Sequence, residues 1–276
     1  MQISVSSYSF KMKNTPLERL RLAKELGFAA IEFTELDLQT AVRLREESER
    51  LGFPIACYTV GADFLRADSV EAEARRLYNQ VDIAQALGVY QMRHDATRGF
   101  KALRAAHSSF AEALPLLAKG CRMVTEYAAE KSVMTMVENH GFFCQDSERI
   151  ANLVGAVSHP NFGALVDIGN FLCADEDPAK ATGNIAALAL HVHAKDFHVK
   201  PGAGDDPGHG WFKSRGGNYL RGAIIGHGNV PVRQCIGNLK RAGYDGYVSI
   251  EFEGMEDCEQ ALQIGLENLQ CLIHNA

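Results

Sequence analysis

A (β/α)8 barrel forming one domain over residues 1–276 is the fold this sequence predicts, and three observations carry that expectation. Short apolar segments alternate with longer helical stretches from end to end, the pattern of parallel-sheet α/β folds. Eight such segments fit into 276 residues, close to the roughly 250 of one eight-unit barrel. A doubly wound open sheet, the competing architecture, usually carries a glycine-rich phosphate turn after its first strand. Here that turn reads SYSFKMKN, and no G-x-G-x-x-G follows any strand.

The elements follow in order. Strand one is expected at 2–8, followed by a helix whose Leu17, Leu20, Ala23 and Leu26 fall on one face. Strands two, three and four are expected at 29–34, 54–60 and 88–93. Next comes a helix marked by Leu103, Ala106, Phe110, Ala113 and Leu117, then strands at 133–138, 162–167, 189–194 and 247–252. A weak repeat supports the count: AKELGFAAIEF, SERLGFPIACY, AQALGVYQMR and KRAGYDGYVSI each pass from a helix end through a glycine into a strand. Gly27, Gly52, Gly88 and Gly243 are read as the left-handed residues that end those helices. One connection departs from the pattern. About thirty glycine-rich, polar residues (197–228) follow strand seven and are expected to form a lid or binding loop without regular structure.

Composition narrows the function classes. The 46% apolar and 22% charged content suits a full globular core, and a net charge of −6 argues against a binder of phosphate backbones. Nucleic acid is therefore not an expected partner. The seven cysteines are scattered with no C-x-x-C pair, so they are read as reduced thiols of a cytoplasmic protein. MQISVSSYSF has neither a basic start nor a long apolar run, and no later segment reaches the roughly 18 apolar residues of a membrane span, so no membrane association is expected.

In a barrel of this kind, polar side chains at the C-terminal ends of strands face the mouth. Strand five (VMTMVEN) ends on Glu138, six (FGALVD) on Asp167, seven (ALHVHAKD) carries His193 near its end, and eight (YVSIEFE) ends on Glu251. Three carboxylates meeting at one point repel unless a cation sits among them. Carboxylate-rich ligation with one imidazole and no thiolate favours Mn2+, Mg2+ or Co2+, with Zn2+ also compatible, and the donor set does not choose among them. Taken singly, each residue has a structural alternative. Asp167 would serve as a turn residue before Ile-Gly-Asn, and His193 as a core histidine. His191 and Glu253, two residues away on the same faces, compete with His193 and Glu251.

VENHG, LVDIGNF, HVHAKDF and GYDGYVSIEFEG resemble the metal motifs of the xylose isomerase-like TIM barrel superfamily, the sugar phosphate isomerase and epimerase family, over essentially the whole chain. That superfamily includes ketose 3-epimerases, inosose dehydratases and repair enzymes of the endonuclease IV type. The resemblance implies a metal-dependent barrel with Glu138, Asp167, His193 and Glu251 as ligands, the two glutamates doubling as the proton-transfer pair of ketose epimerases. Two departures matter. Ketose 3-epimerases have D-x-x-H at strand six, where Asp167 is followed here by Asn170, and the Lys195-Asp196 pair is more like the inositol-catabolism branch.

The expected chemistry is removal of the proton between a metal-bound ketone and its neighbouring hydroxyl, giving an ene-diolate whose charge develops beside the cation. Glu138 and Glu251 are expected on opposite faces of a sugar, one taking the proton and the other returning it, with His140 as a further acid or base. A leaving group β to that intermediate would be eliminated instead, giving a dehydratase or lyase. The ENH run of Glu138 and His140 also resembles the large subunit of metal-dependent enzymes that cleave 3-keto-C-glycosides with a small β-rich partner. In the long loop, Trp211, Lys213, Arg215, Asn218 and Arg221 suit a sugar face and its hydroxyl edge, or else packing on a partner subunit. Asn170 and His198 are counted with these substrate-binding candidates, while His209 and His227 are read as surface histidines. Tyr8 and Glu32 stand near strand ends and face either the cavity or the core. A small sugar or keto-sugar is the expected ligand, and a homo-oligomer or a small partner subunit the expected assembly. An endonuclease and a sugar-binding protein without chemistry are the competing classes. The acidic balance opposes the first, and retention of both Glu138 and Glu251 opposes the second.

Overall fold

A computed structural model describes residues 1–11, 15–100 and 109–276. Eight parallel strands close into a barrel: β1 (Gln2–Ser6), β2 (Ala30–Thr34), β3 (Ile55–Val60), β4 (Gln91–His94), β5 (Met134–Glu138), β6 (Phe162–Asp167), β7 (Ala189–Ala194) and, after the long insert, β11 (Tyr247–Ile250). β1 pairs with both β2 and β11, which shuts the sheet on itself and leaves no edge. Among the described residues, eight α-helices surround it: α1 (Pro16–Glu25), α2 (Leu38–Leu51), α3 (Val70–Leu87), α4 (Phe110–Glu130), α5 (Ser147–Val157), α6 (Pro178–Ile185), α7 (Val232–Arg241) and α8 (Cys258–His274).

The helices start where short polar side chains can accept the first free backbone N–H groups. Thr15 with Glu18 and Ser109 with Glu112 form capping boxes, and Asp37, Ser69, Asp177 and Asp257 cap four more. The four glycines of the repeat all have positive φ, between 58° and 92°, as their place after helix ends requires. On α1, Leu20 and Ala23 are fully buried while Leu17 and Leu26 pack at the margin. On α4, Ala113 and Leu117 are buried and Phe110 packs against the core; Leu103 and Ala106 lie outside the described residues.

Two cores result from strand alternation. Residues such as Ile3, Val5, Ile31, Phe33, Val192, Val248 and Ile250 point outward and join the large apolar cluster under the helices. The alternate positions point inward, where, among the described residues, Cys57, Met136 and Leu165 form a small apolar plug with Leu190 packed against it. The rest of the lumen is polar and buried: Ser4, Ser6, Ser249, Glu32 and His191. A polar column therefore runs beneath the mouth.

Three expectations need correction. Strand one stops at Ser6 because Ser7–Phe10 coil into a 3-10 turn, whose Ser9 hydroxyl donates to Ile250 O (3.2 Å) and accepts from Phe252 N (2.9 Å). Strands four and eight are also shorter than expected: Gly88 still ends α3, and the ladder of β11 closes at Ile250. The insert after β7 is not unstructured. Asp196–Lys200 (β8), Phe212–Lys213 (β9) and Tyr219–Ala223 (β10) form an antiparallel sheet in the order β8-β10-β9, with Lys200 opposite Tyr219 and Asp196 opposite Ala223. The pairing joins segments about twenty residues apart across a glycine-rich stretch, so no local period announces it.

Candidate metal centre and active site

Glu138 ends β5, Asp167 ends β6 and His193 lies one residue from the end of β7, directly beside Asp167 in register. Glu251 lies just past β11, held by its N–H donating to Ala194 O at 3.0 Å. Ligand atoms of all four lie within 4.8 Å of one another. Glu138, Asp167 and His193 are buried, and the Glu251 side chain is 14% exposed.

The surrounding residues orient each member. Asn139 and Asp167 exchange a reciprocal pair of hydrogen bonds: the Asn139 amide donates to Asp167 O (2.8 Å) and its Oδ1 accepts from Asp167 N (2.9 Å). Asp167 Oδ1 accepts from Gly169 N and Asn170 N, so the turn-residue reading of Asp167 is also met, while Oδ2 faces the cluster without a hydrogen-bond partner. His193 Nε2 stands 2.9 Å from Glu32 Oε1 at the floor, which leaves Nδ1 toward Glu251 (3.4 Å), Glu138 (3.8 Å) and Asp167 (3.9 Å). Nδ1, too, lacks a hydrogen-bond partner. Buried polar atoms without partners are rare, and here two of them converge with two further carboxylates. This donor set fits one divalent cation. Glu32, left open between cavity and core, and His191, the competitor of His193, lie in the lumen beneath: Glu32 Oε2 meets His191 Nε2 at 2.8 Å.

Two cationic side chains crowd the acidic group and a third lines the cavity, and the sequence reading gave none of them a role. Arg93, on β4, reaches Glu138 Oε2 (2.5 Å) and Asp95 Oδ1 (2.7 Å). Lys195 Nζ lies 2.6 Å from Glu251 Oε2, 3.3 Å from Asp167 Oδ2 and 3.6 Å from Glu253 Oε1. Arg98 borders the cavity above. A signal for Arg93 was present, since it closes the AQALGVYQMR repeat at a strand end, as Glu138 closes strand five.

Electrostatics follow from burial among these charges. Burial pushes the Asp167 carboxyl up to about 6, with Lys195 opposing. Burial acts the same way on Glu251, but Lys195 and His193 outweigh it and hold that carboxyl well below the usual range. Burial disfavours charge on His193, yet Glu32 and Glu251 hold its imidazole well above the ordinary histidine value. Burial also works against Asp95, which Arg93 and His140 nonetheless bring down to about 2. The cluster thus draws positive charge from every group near it.

His140 is brought to the site. Its Nδ1 lies 2.9 Å from Asp95 Oδ1, and its ring borders a cavity of about 630 Å3 that has Glu138, His193, Lys195 and Glu251 at its base. Tyr8, Arg93 and Glu253 also line that cavity. Asn170 is buried at the cluster, its amide donating to Glu138 Oε1 (2.9 Å). The remaining substrate-binding candidates are not among the cavity's lining residues. Trp211 is flanked by Lys200 and Arg221, with 5.1 and 5.5 Å between cation and ring. Lys213 covers the Tyr219 ring, and Arg215 pairs with Asp146 (2.6 Å) and Phe142 O. Asn218 binds Asp175, and His198 stands opposite Arg221 within the small sheet. His209 and His227 are exposed. These side chains have their contacts within the insert or at its base, and Phe197 and Phe212, which carried no expectation, are the insert residues that line the adjoining space.

Comparison with known proteins agrees with this fold. An uncharacterized protein of Methanocaldococcus jannaschii is 27% identical over 154 residues; the match takes in 53% of this chain and 46% of that protein, so the chain spans about half the length of the curated relative it matches. Among solved structures, L-ribulose 3-epimerase superimposes with a TM-score of 0.78 at 17% identity, covering 99% of this chain and 94% of that one. The probable 3-DHS dehydratase AsbF of Bacillus anthracis gives 0.77 at 19% identity, covering 98% and 99%. At such identities the likeness is one of fold. The profile of the xylose isomerase-like TIM barrel family matches residues 20–272, nearly the whole closed barrel with its four-residue cluster, and the chain belongs to that family.

Proposed function

We propose that the protein is a divalent-metal-dependent isomerase or epimerase of sugars, working by proton transfer at the carbon next to a carbonyl. The observation that carries this reading is the pair Glu138 and Glu251, two carboxylates in one four-residue cluster at the base of a cavity of about 630 Å3, each held by a different cation. Glu138, Asp167, His193 and Glu251 would hold the ion, Mn2+ being the expected one. The ion supplies positive charge beside the oxygens that become negative when the proton leaves.

The chain's own groups do the rest. Glu138 is fixed by Arg93 and Asn170, so one carboxylate is oriented at the β5 side of the site. Glu251, at the β11 side, is kept ionised by Lys195 and is ready to accept a proton. Proton removal by one and return by the other inverts a centre or moves a carbonyl. His140, set by Asp95, supplies a third exchangeable proton at the cavity wall. A second reading, a lyase on a keto-sugar, draws on Lys195 and His140. Both border the cavity: His140 is suited to protonating a departing hydroxyl or aglycone, and the Lys195 ammonium, kept charged by the carboxylates around it, to offsetting negative charge there.

Proton exchange in D2O tests both. Mn2+-loaded protein is incubated with ketoses, inososes and 3-keto-glucosides, and loss of the α C–H signal is followed by NMR beside Glu251→Gln. Metal-dependent exchange lowered about 10²-fold or more by the substitution supports the reading, and the product separates epimerase from lyase. A sugar that binds at the cluster without exchange would refute it.

A further inference from the structure

The main cavity opens into a second of about 440 Å3, and the two share Arg98, His140, Lys195 and Glu253 on their walls. The first alone is within the roughly 300–1,000 Å3 that houses a whole small ligand. The second is additional room, continuous with the reacting end of the site, and its chemistry differs.

Aromatic rings dominate its far wall among the described residues. Phe212 is propped edge-on against Phe197, with centroids 5.7 Å apart and planes at 77°, yet remains 38% exposed. Phe142 faces the same space and is 45% exposed. Its backbone is left-handed, with φ +65°, an uncommon state for a bulky side chain. Polar contacts pin it on both sides: Phe142 N donates to Gln145 Oε1 at 2.5 Å, and its carbonyl accepts from Arg215, which Asp146 holds in turn. Much of the polarity of this cavity is already committed. Gln145 Nε2 donates to Asn170 O, while the Asn170 side chain donates to Glu138 and lies 3.3 Å from Lys195 Nζ. What the space offers a ligand is chiefly flat apolar surface.

We propose that this annex holds an aromatic group joined covalently to the sugar, so that the substrate is an aryl glycoside of a keto-sugar. The inference rests on the sugar reading above and extends it. Offset or edge-to-face stacking on Phe142 and Phe212 is the recognition the walls provide, and His140 and Lys195, common to both spaces, flank the linkage between the two parts. A second copy of the chain or a peptide would meet the rings at the rim but would not enter toward the acidic cluster, whereas a ligand tail continuous with the sugar does.

The test compares phenyl and methyl β-D-glucopyranoside, which lack the ketone and do not turn over, by calorimetric titration of the Mn2+-loaded full chain. The phenyl compound is expected to bind at least 10-fold tighter. Phe212→Ser and Phe142→Gly, the latter compatible with the left-handed backbone, each reduce that advantage below 3-fold and leave the methyl glucoside unchanged. Equal affinity for the two compounds, or a phenyl preference that survives both substitutions, overturns the annex and leaves the sugar reading intact. If neither compound binds while free ketoses exchange protons in D2O, the glycoside proposal falls alone; if no sugar exchanges or binds, both fall.

Discussion

Replacing Glu32 with Gln probes the buried support of the proposed metal centre without touching any of the four residues proposed to hold the ion. Glu32 sets one carboxylate oxygen beside each of two imidazoles, Oε1 at a charge-contact distance of 2.9 Å from His193 Nε2 and Oε2 in a 2.8 Å hydrogen bond with His191 Nε2. A carboxylate accepts at both positions, so both Nε2 atoms can carry a proton and His193 Nδ1 is free to bind an ion. Glutamine has one acceptor oxygen and one NH2. If the NH2 faces His193, Nε2 must lose its proton, Nδ1 takes it, and a ligand atom is lost. If it faces His191, the proton moves to His191 Nδ1, which has no hydrogen-bond partner in the lumen. The first choice removes a ligand atom, and the second leaves a buried donor unsatisfied, at a cost of about 1–3 kcal/mol. Metal affinity is therefore expected to fall by roughly 10- to 100-fold, the range typical of such supporting groups. Titration of Mn2+ followed by EPR, with circular dichroism to verify the fold, measures it. A Kd within twofold of wild type in a folded E32Q protein would refute the argument that Glu32 sets the His193 tautomer.

Four further outcomes follow from the geometry. Mn2+ at about 100 times its Kd should stabilise the protein by ~2.7 kcal/mol, raising Tm by roughly 5 °C or more on the scale for chains of this size, and Glu251→Gln should blunt the shift in differential scanning calorimetry. Asp196 accepts from the backbone N–H groups of Phe197, Gly226, Gly228 and Val230 at 2.8–3.0 Å. Asp196→Ala should therefore lose about 3 kcal/mol of stability, read as a lower urea midpoint with unchanged slope. A Cβ on Gly169 would stand 2.5 Å from the Lys195 carbonyl oxygen. Gly169→Ala should thus lose about 1–3 kcal/mol and weaken Mn2+ binding, because the turn that donates to Asp167 must shift. Six of the seven cysteines are buried and only Cys271 is exposed, so a thiol reagent should titrate one group in the native protein and seven after denaturation.

The barrel and its four strand-end residues were legible in the sequence for one physical reason. Glycine after a helix and an acidic or imidazole residue after an apolar run are local signals, and each is read within a dozen residues. Glu138, Asp167, His193 and Glu251 each stand at such a point. Glu32 and His191 were harder because a carboxylate inside a barrel lumen makes sense only with its partner, which lies 159 positions away. Arg93 was harder in part for the same reason: Asp95 stands two residues on in QMRHD, but the other partner, Glu138, comes from the next strand, 45 positions away. The insert misled in the opposite direction. Its aromatic and basic residues look like a sugar-binding set in one dimension, but Trp211 and Lys213 make their cation–ring contacts within the insert, Arg221 adds a contact to Glu256, and Phe197 and Phe212 are the rings that line the space beside the main cavity.

The insert begins without a turn. β7 ends at Ala194 and β8 starts at Asp196, so a single buried residue, Lys195, separates a ligand strand from the accessory sheet. Its other root is closed by Asp196 across residues 226–230, its β10 meets the chain after β11 through a bridge between Gly222 and Gly254, and Arg215 ties it to α5's start through Asp146. A flap that swings needs a few residues free to change their backbone angles, and neither root has them. The accessory sheet is thus a fixed wall of the mouth instead of a door. Ligand selection on this side is set by shape already present before binding, and a strain applied to the wall is felt first at Lys195 and His193.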